Sequence, residues 1–153
     1  MKRVEVKLSL AVVAPLLDVI KLVADSLEDE LAAALPLEDL DADLRGAWRE
    51  ELLAAQNQDV RTLLALFDSE FFASGMVAFD GSNAEAIVRA CASVRLRLRE
   101  KFLNDLPDDM LEGGDVAVEQ LQEPLRKAFM CYLFLATVQE LIIQHLDASI
   151  LGG

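Results

Sequence analysis

The stretch from Pro124 to Leu146 constrains the fold more than any other part of this sequence, because its apolar residues would cover nearly every side of one helix. These residues are Leu125, Phe129, Tyr132, Leu133, Phe134, Leu135, Ala136, Val138, Leu141, Ile142 and Ile143. A helix without a polar face is stable at the centre of a helical bundle or in a subunit interface. Its most apolar part, Ala128–Val138, is too short to span a bilayer and is followed by Gln139. We therefore expect a buried helix and no membrane segment.

Two earlier segments repeat apolar residues at intervals of three and four, which is typical of amphipathic helices. The first predicted helix runs from Pro15 to Ala34, before Pro36, and its stripe contains Leu16, Ile20, Val23, Leu27 and Leu31. The second begins at a cap formed by Asp41 or Asp43 and ends near Phe67, with a stripe of Leu44, Trp48, Leu52, Ala55, Leu63 and Leu66. We expect both stripes to be buried in one core.

The pattern Ser82-Asn83-Ala84-Glu85 predicts a capping box at the start of a third helix, which ends by Asn104. Its apolar stripe consists of Ile87, Cys91, Val94, Leu98 and Phe102. Two strands are also predicted, one from the alternation of Val4, Val6, Leu8 and Leu10 with polar residues, the other at Met76–Phe79 within a loop over 68–83. The expected fold is mainly α, a single domain over residues 1–153: a bundle of four long helices with a short two-stranded β ribbon.

The chain is strongly acidic, with 27 Asp and Glu against 14 Lys and Arg and a formal net charge of −13. Such a protein repels phosphate backbones and anionic lipid, so we expect neither a nucleic-acid nor a membrane partner. Between Asp25 and Asp59 there are eleven acids and two arginines. We interpret this region as a solvated flank, and the alternative is a docking surface for a basic partner.

Catalytic and cofactor-binding motifs are missing from the sequence: there is no nucleophile elbow, phosphate-binding loop or dinucleotide fingerprint. Cys91 and Cys131 lie forty positions apart and His145 is the only histidine, so we expect no metal site. Both cysteines are predicted to be buried reduced thiols. The sequence thus predicts no enzyme and no cofactor. Since Met1–Leu17 resembles a signal peptide only faintly, we also expect a cytoplasmic protein.

Three charged residues fall on the apolar stripes of three different helices, and they form the candidate site. At about 100° per residue, Arg95 lies close to Cys91 and Leu98, whereas Arg89 and Arg97 turn outward on different sides. Asp59 lies on the stripe of the second helix and Glu140 on that of the last. Because a buried charge has to be paired, we predict that Arg95 bonds Asp59 or Glu140 and fixes the helix register.

Three segments carry a family resemblance: Leu44-Arg45-Gly46-Ala47-Trp48-Arg49-Glu50-Glu51, Ser93-Val94-Arg95-Leu96-Arg97-Leu98 and Tyr132-Leu133-Phe134-Leu135-Ala136-Thr137-Val138-Gln139-Glu140-Leu141. With them the chain resembles an uncharacterised family common in actinobacteria, often encoded beside the ClpS protease adaptor and sometimes labelled as transcriptional regulators. The family tends to have Asn-Asp where Ser93-Val94 stand here. The resemblance implies a mostly helical cytoplasmic protein with a regulatory or adaptor role, and it transfers no catalytic residue.

Three hypotheses for the function follow. The first is a non-enzymatic protein-interaction module, regulatory or adaptor-like, that forms a homodimer through its last helix or its acidic surface. The second is a small-ligand-binding or catalytic domain with a polar pocket around Arg95, which requires a cavity of a few hundred Å³ beside that residue. The third is a transcriptional regulator, for which the divided basic cluster from Arg89 to Lys101 gives little support.

Overall fold

The computed structural model describes residues 3–32, 41–104, 106 and 122–145. In chain order its elements are β1 (Arg3–Lys7), α1 (Leu10–Ser26), α2 (Ala42–Leu64), α3 (Ser69–Ser74), β2 (Met76–Asp80), α4 (Ala84–Lys101) and α5 (Glu123–His145). The mainly α class and the four long helices are confirmed. Most of the predicted loop at 37–42 and the predicted last residue of the final helix, Leu146, lie outside the described residues.

The two-stranded ribbon forms as predicted, with β1 antiparallel to β2. Val4 lies opposite Phe79 and Val6 opposite Val77, so the alternating apolar residues share the face that packs against the helices. The amide of Leu8 donates to the carbonyl of Gly75 at 2.8 Å, one step beyond the ladder. The ribbon therefore ends at the point where the chain turns into α1.

The bounds of α1 differ from the prediction at both ends. The helix begins at Leu10, five residues before Pro15, because the carbonyl of Ser9 already accepts from the amide of Val13 at 2.9 Å. Pro15 is thus inside the helix, on an exposed side. At the other end α1 stops at Ser26 although the apolar periodicity continues, since side chains from other helices take over the carbonyls that follow.

The caps of the next elements follow the predicted chemistry only in part. The carboxylate of Asp41 accepts from the amide of Leu44 at 2.9 Å and caps α2, as expected. The predicted capping box before α4 is wrong, because the hydroxyl of Ser82 donates to Asp80 instead. The short helix α3, capped by Asp68, was not predicted and lies in the expected loop.

The core is centred on α4, which packs against α1, α2 and α5, whereas α5 packs against α4 and α1. Among the described helices, α4 rather than the last helix therefore has the most helical neighbours. The core residues of α5 are Ala128, Phe129, Cys131, Tyr132, Leu135, Val138 and Ile142, while Ile143 is exposed. By length and composition alone, Leu125–His145 could cross a membrane, a test that the core helix of a soluble protein also passes.

Candidate functional site

Arg95 reaches from α4 to α5, as its place on the stripe predicted, but its partner is an amide. Its Nη1 donates to Oε1 of Gln139 at 2.7 Å, and its guanidinium lies 4.4 Å from the ring centroid of Tyr132, a cation–π distance. Nε2 of Gln139 donates in turn to the carbonyl of Val88 at 3.0 Å. Gln139 thus joins the side chain and the main chain of α4 to α5.

The predicted acid partners of Arg95 lie elsewhere, so that pairing is wrong. Both oxygens of Asp59 accept from Arg89, from Nε at 2.9 Å and from Nη2 at 3.0 Å, which is a bidentate pair between α2 and α4. Glu140 is exposed and accepts from Nε2 of Gln144 on its own helix. The helical periodicity predicted that both carboxylates are buried. Asp59 instead lies at the edge of the core, and Glu140 is exposed to solvent.

The buried cation of α4 is Arg97, which the sequence placed on the outside. Its side chain is 2 % exposed, and its Nη1 donates to Oε1 of Glu30 at 2.7 Å. This hydrogen bond and the charge of Arg97 hold the pKa of the Glu30 carboxyl below its usual range. Nη2 of Arg97 donates to the carbonyl of Leu31 at 3.4 Å, while its buried Nε has no hydrogen-bond partner among the described residues. Arg97 is buried because the chain after α1 packs on that side of α4.

The segment after α1, residues 27–32, which we call the exit loop, is held by side chains of α2 and α4. Five successive carbonyls, residues 27–31, accept from Gln56, Asn57, Arg49, Gln56 again and Arg97, in that order. Gln56 also accepts from the amide of Ala32 at 2.9 Å. These bonds replace the helical bonds that α1 would otherwise need, which explains why it ends at Ser26.

Gln56 is a residue that the sequence analysis missed, although a signal for it was present. It lies midway between Leu52 and Val60 at intervals of four, and so on an apolar stripe. The same criterion selected Asp59, Arg95 and Glu140. The side-chain amide of a buried glutamine has both donors and an acceptor. It can therefore form hydrogen bonds with the main-chain carbonyls and amides of a loop, as Gln56 does.

A groove with a volume of about 410 Å³ runs between α2 and α4. Its apolar lining comes from Leu31, Ala32, Leu52, Ala55, Ala92 and Leu96. Gln56 lies in its wall, and the Asp59–Arg89 pair lies at one end. The bonds that hold the exit loop therefore also fix one wall of this α2–α4 groove.

The apolar surface continues along α2 beyond the groove. Trp48 lies four residues before Leu52 and Leu44 a further four, so both are on the same side of the helix. They are 53 % and 55 % exposed, and Leu96 across the groove is 36 % exposed. The sequence predicted this stripe as core, but of its six residues only Leu63 is buried, Leu52 and Leu66 are half-buried, and the others are exposed.

Arg95 is not part of the lining of the α2–α4 groove, and its guanidinium contacts Gln139 and Tyr132 instead. Within the described ranges no group of three His, Cys, Asp or Glu side chains is placed to hold a metal ion. Cys91 and Cys131 are free and buried, and burial raises the pKa of each thiol to about 12.

Comparison with known proteins gives one match. A family model described as a domain of unknown function, DUF2017, matches residues 10–146, from the start of α1 to one residue beyond α5. No curated protein and no solved structure matches the chain. The resemblance is confirmed at the level of an uncharacterised domain family.

Proposed function

The chain belongs to DUF2017, a domain family of unknown function, and we propose that it is a non-enzymatic protein-interaction module that binds a partner through its α2–α4 groove. The observation that carries this proposal is the continuous apolar surface formed by the groove and by Leu44 and Trp48. Apolar patches with a polar rim mark interaction sites on soluble proteins. Tryptophan is also among the residues most often found at the energetic centre of interfaces.

Several further features are part of the same proposal. A non-enzymatic role is supported by the lack of catalytic motifs in the sequence and by the closed surroundings of Arg95. A cytoplasmic location and a regulatory or adaptor role agree with the family resemblance. Nucleic acid is disfavoured because Arg89, Arg95 and Arg97 are engaged within the fold and the chain is acidic.

The experiment compares capture by two matched variants. The groove variant carries Leu52→Gln and Leu96→Gln, and the control variant carries Val12→Gln and Leu22→Gln, which replace exposed apolar residues of α1. Equal amounts of immobilised protein are incubated with native lysate, and bound proteins are quantified by mass spectrometry. We expect one protein to be retained by the wild type and the control variant and lost from the groove variant. Equal retention by all three would contradict the proposal.

Self-association through the last helix is a separate proposal. It is supported by the apolar character of α5, whose Ile143 is exposed beside half-buried Leu141. Light scattering after gel filtration at micromolar concentration tests it. A homodimer is expected. A strict monomer would contradict the self-association proposal and leave the groove proposal unaffected.

A further inference from the structure

The exit loop is attached to the rest of the fold mainly by side chains. Among the described residues, the main chain of residues 29–32 makes no hydrogen bond with the main chain of another element. It is bonded instead by Arg49, Gln56 and Arg97, which are side chains of α2 and α4. Bonds of this kind can break without breaking the hydrogen-bond ladder of any helix.

The loop also buries little apolar surface. Residues 28–30 are exposed, Leu31 is half-buried, and Ala32 buries a single methyl group. Leu27, at the start of the loop, is fully buried in the core. Segments with few buried apolar contacts open at a lower free energy than the whole domain. Residues 28–32 therefore have the character of a unit that opens locally.

The closed loop leaves one buried group unsatisfied. Nε of Arg97 has no hydrogen-bond partner among the described residues, while the Glu30 carboxylate and the Leu31 carbonyl lie against the same guanidinium. A buried donor without a partner costs free energy, and water relieves that cost once the group is uncovered. The side chain of Glu30 is 65 % exposed, so its carboxylate is hydrated in either state.

Opening of the loop would change the α2–α4 groove, because Leu31 and Ala32 line it. Movement of these two residues away from α2 and α4 removes part of the groove wall. By linkage, a molecule that contacts them binds the closed state more tightly and shifts the population toward it. Gln56, which also lines the groove, bonds both the Ala32 amide and the Glu30 carbonyl.

We propose that residues 28–32 open as one local unit while the four long helices stay folded, and that this opening takes Leu31 and Ala32 out of the groove wall. Gln56 and the Glu30–Arg97 pair hold the unit closed. The inference does not depend on what the groove binds. Its failure would leave the proposed interaction function standing, since lysate capture by the groove variant tests that function separately.

An added thiol compares opening of the loop with opening of the core. Ala32→Cys places a thiol in the loop, while Cys91 and Cys131, both fully buried, are the core reference in the same molecule. We expect N-ethylmaleimide to modify the new thiol at least about tenfold faster than the other two, at a rate that changes little in dilute urea. The core thiols should react faster as urea is added, because their exposure needs more surface to open.

Two outcomes of this experiment would overturn the proposal. If all three thiols react at one rate with one urea dependence, the loop opens only by global unfolding. If the new thiol reacts as fast as a free thiol in solution, position 32 is not covered in the folded protein. If circular dichroism shows that Ala32→Cys disturbs the fold, hydrogen exchange of the wild-type Ala32 amide below about 1 M urea makes the same comparison with core amides.

Matched changes in the loop test what holds it closed. Glu30→Ala removes the partner of Arg97, whereas Glu28→Ala removes a carboxylate of the same loop that has no ion pair among the described residues. In the Ala32→Cys background, we expect Glu30→Ala to raise the modification rate of the new thiol about fivefold and Glu28→Ala to leave it within about twofold. Equal rates in the two variants would contradict the role of the Glu30–Arg97 pair.

Discussion

At the scale of single residues, the lack of a side chain is necessary at Gly75 and unnecessary at Gly46. Gly75 ends α3 with φ at 80°, and a Cβ there would lie 2.5 Å from the carbonyl oxygen of Leu8. Gly46 lies in the exposed part of α2, where a Cβ would meet nothing within 4 Å. One glycine is required by the backbone, whereas the other only weakens a helix.

We predict that Gly75→Ala lowers the free energy of unfolding by about 2 kcal/mol or more, because alanine disfavours a positive φ and meets the Leu8 carbonyl. The matched change Gly46→Ala should raise it by about 0.5–1 kcal/mol through helix propensity. Urea denaturation of the two variants measures both. A loss of stability in Gly46→Ala would contradict the solvated position of that residue.

A second prediction concerns Arg97, whose guanidinium is buried with one unpartnered nitrogen. Arg97→Met keeps the packing of the aliphatic stem and removes the buried charge, so it should cost less than about 1.5 kcal/mol. Arg97→Ala leaves a cavity in the core and should cost about 2–4 kcal/mol. Urea denaturation distinguishes them, and equal losses would mean that the ion pair itself, rather than packing, stabilises this site.

The partner carboxyl gives this pair a pH dependence with a defined sign. Because Arg97 lowers the pKa of Glu30 in the folded state, the pair stabilises fully above the unfolded glutamate value of about 4.3. That contribution is lost as the pH falls through the lower folded value. We expect an NMR titration to find the Glu30 pKa below its ordinary value in the wild type and close to it in Arg97→Met. An unchanged pKa would contradict the contact.

At the scale of elements, the exit loop depends on Gln56 more than on any helix propensity of its own. Gln56→Leu would leave the amide of Ala32 and the carbonyls of Leu27 and Glu30 without their partner, and we predict a loss of about 2–4 kcal/mol. Asn57→Ala, which removes one exposed bond to Glu28, should cost less than about 1 kcal/mol.

Hydrogen exchange separates this local role from a general loss of stability. The amide of Ala32 donates to Gln56. In Gln56→Leu this amide should therefore exchange faster than the rate expected from the loss of global stability alone. In Asn57→Ala, which removes one exposed bond, its protection should change much less. Unchanged protection in Gln56→Leu would show that the exit loop is held by something else.

The elements also show which features of the fold the sequence could predict. Period-two alternation placed the first strand, and apolar periodicity placed the long helices, because each signal reports which face of one element is buried. The end of α1 at Ser26 and the exposure of Trp48 could not be read this way. Both depend on where other helices lie, and the two stripes, one containing Leu27 and the other Trp48, have the same spacing whether a neighbour covers them or not.

The candidate site shows the same limit more sharply. The helical periodicity placed the buried face of α4 at Cys91 and Leu98, and it placed Arg97 on the exposed face. In the structure α4 packs against three other helices, α1, α2 and α5. Ala90 and Arg97, seven residues apart, form a second buried side that faces the exit loop. Which carboxylate an arginine meets is then decided by tertiary contacts, as Glu30 and Asp59 show.

At the scale of the whole molecule, four arginines join different elements, while most carboxylates of the described residues face water. Arg49 and Arg97 bind the exit loop, Arg89 joins α2 to α4 and Arg95 joins α4 to α5. Among the described residues, the negative charge is therefore concentrated on the exterior.

The two thiols report on the cooperativity of the core as a whole. Cys91 on α4 and Cys131 on α5 are inaccessible, and with pKa values raised to about 12 they stay protonated at about pH 8. We predict that a thiol reagent modifies both slowly and at one rate, which rises with urea in step with global unfolding. A Ser69→Cys variant, exposed at the start of α3, should react at once as a control. Fast reaction of Cys131 alone under native conditions would show instead that α5 opens independently of the rest.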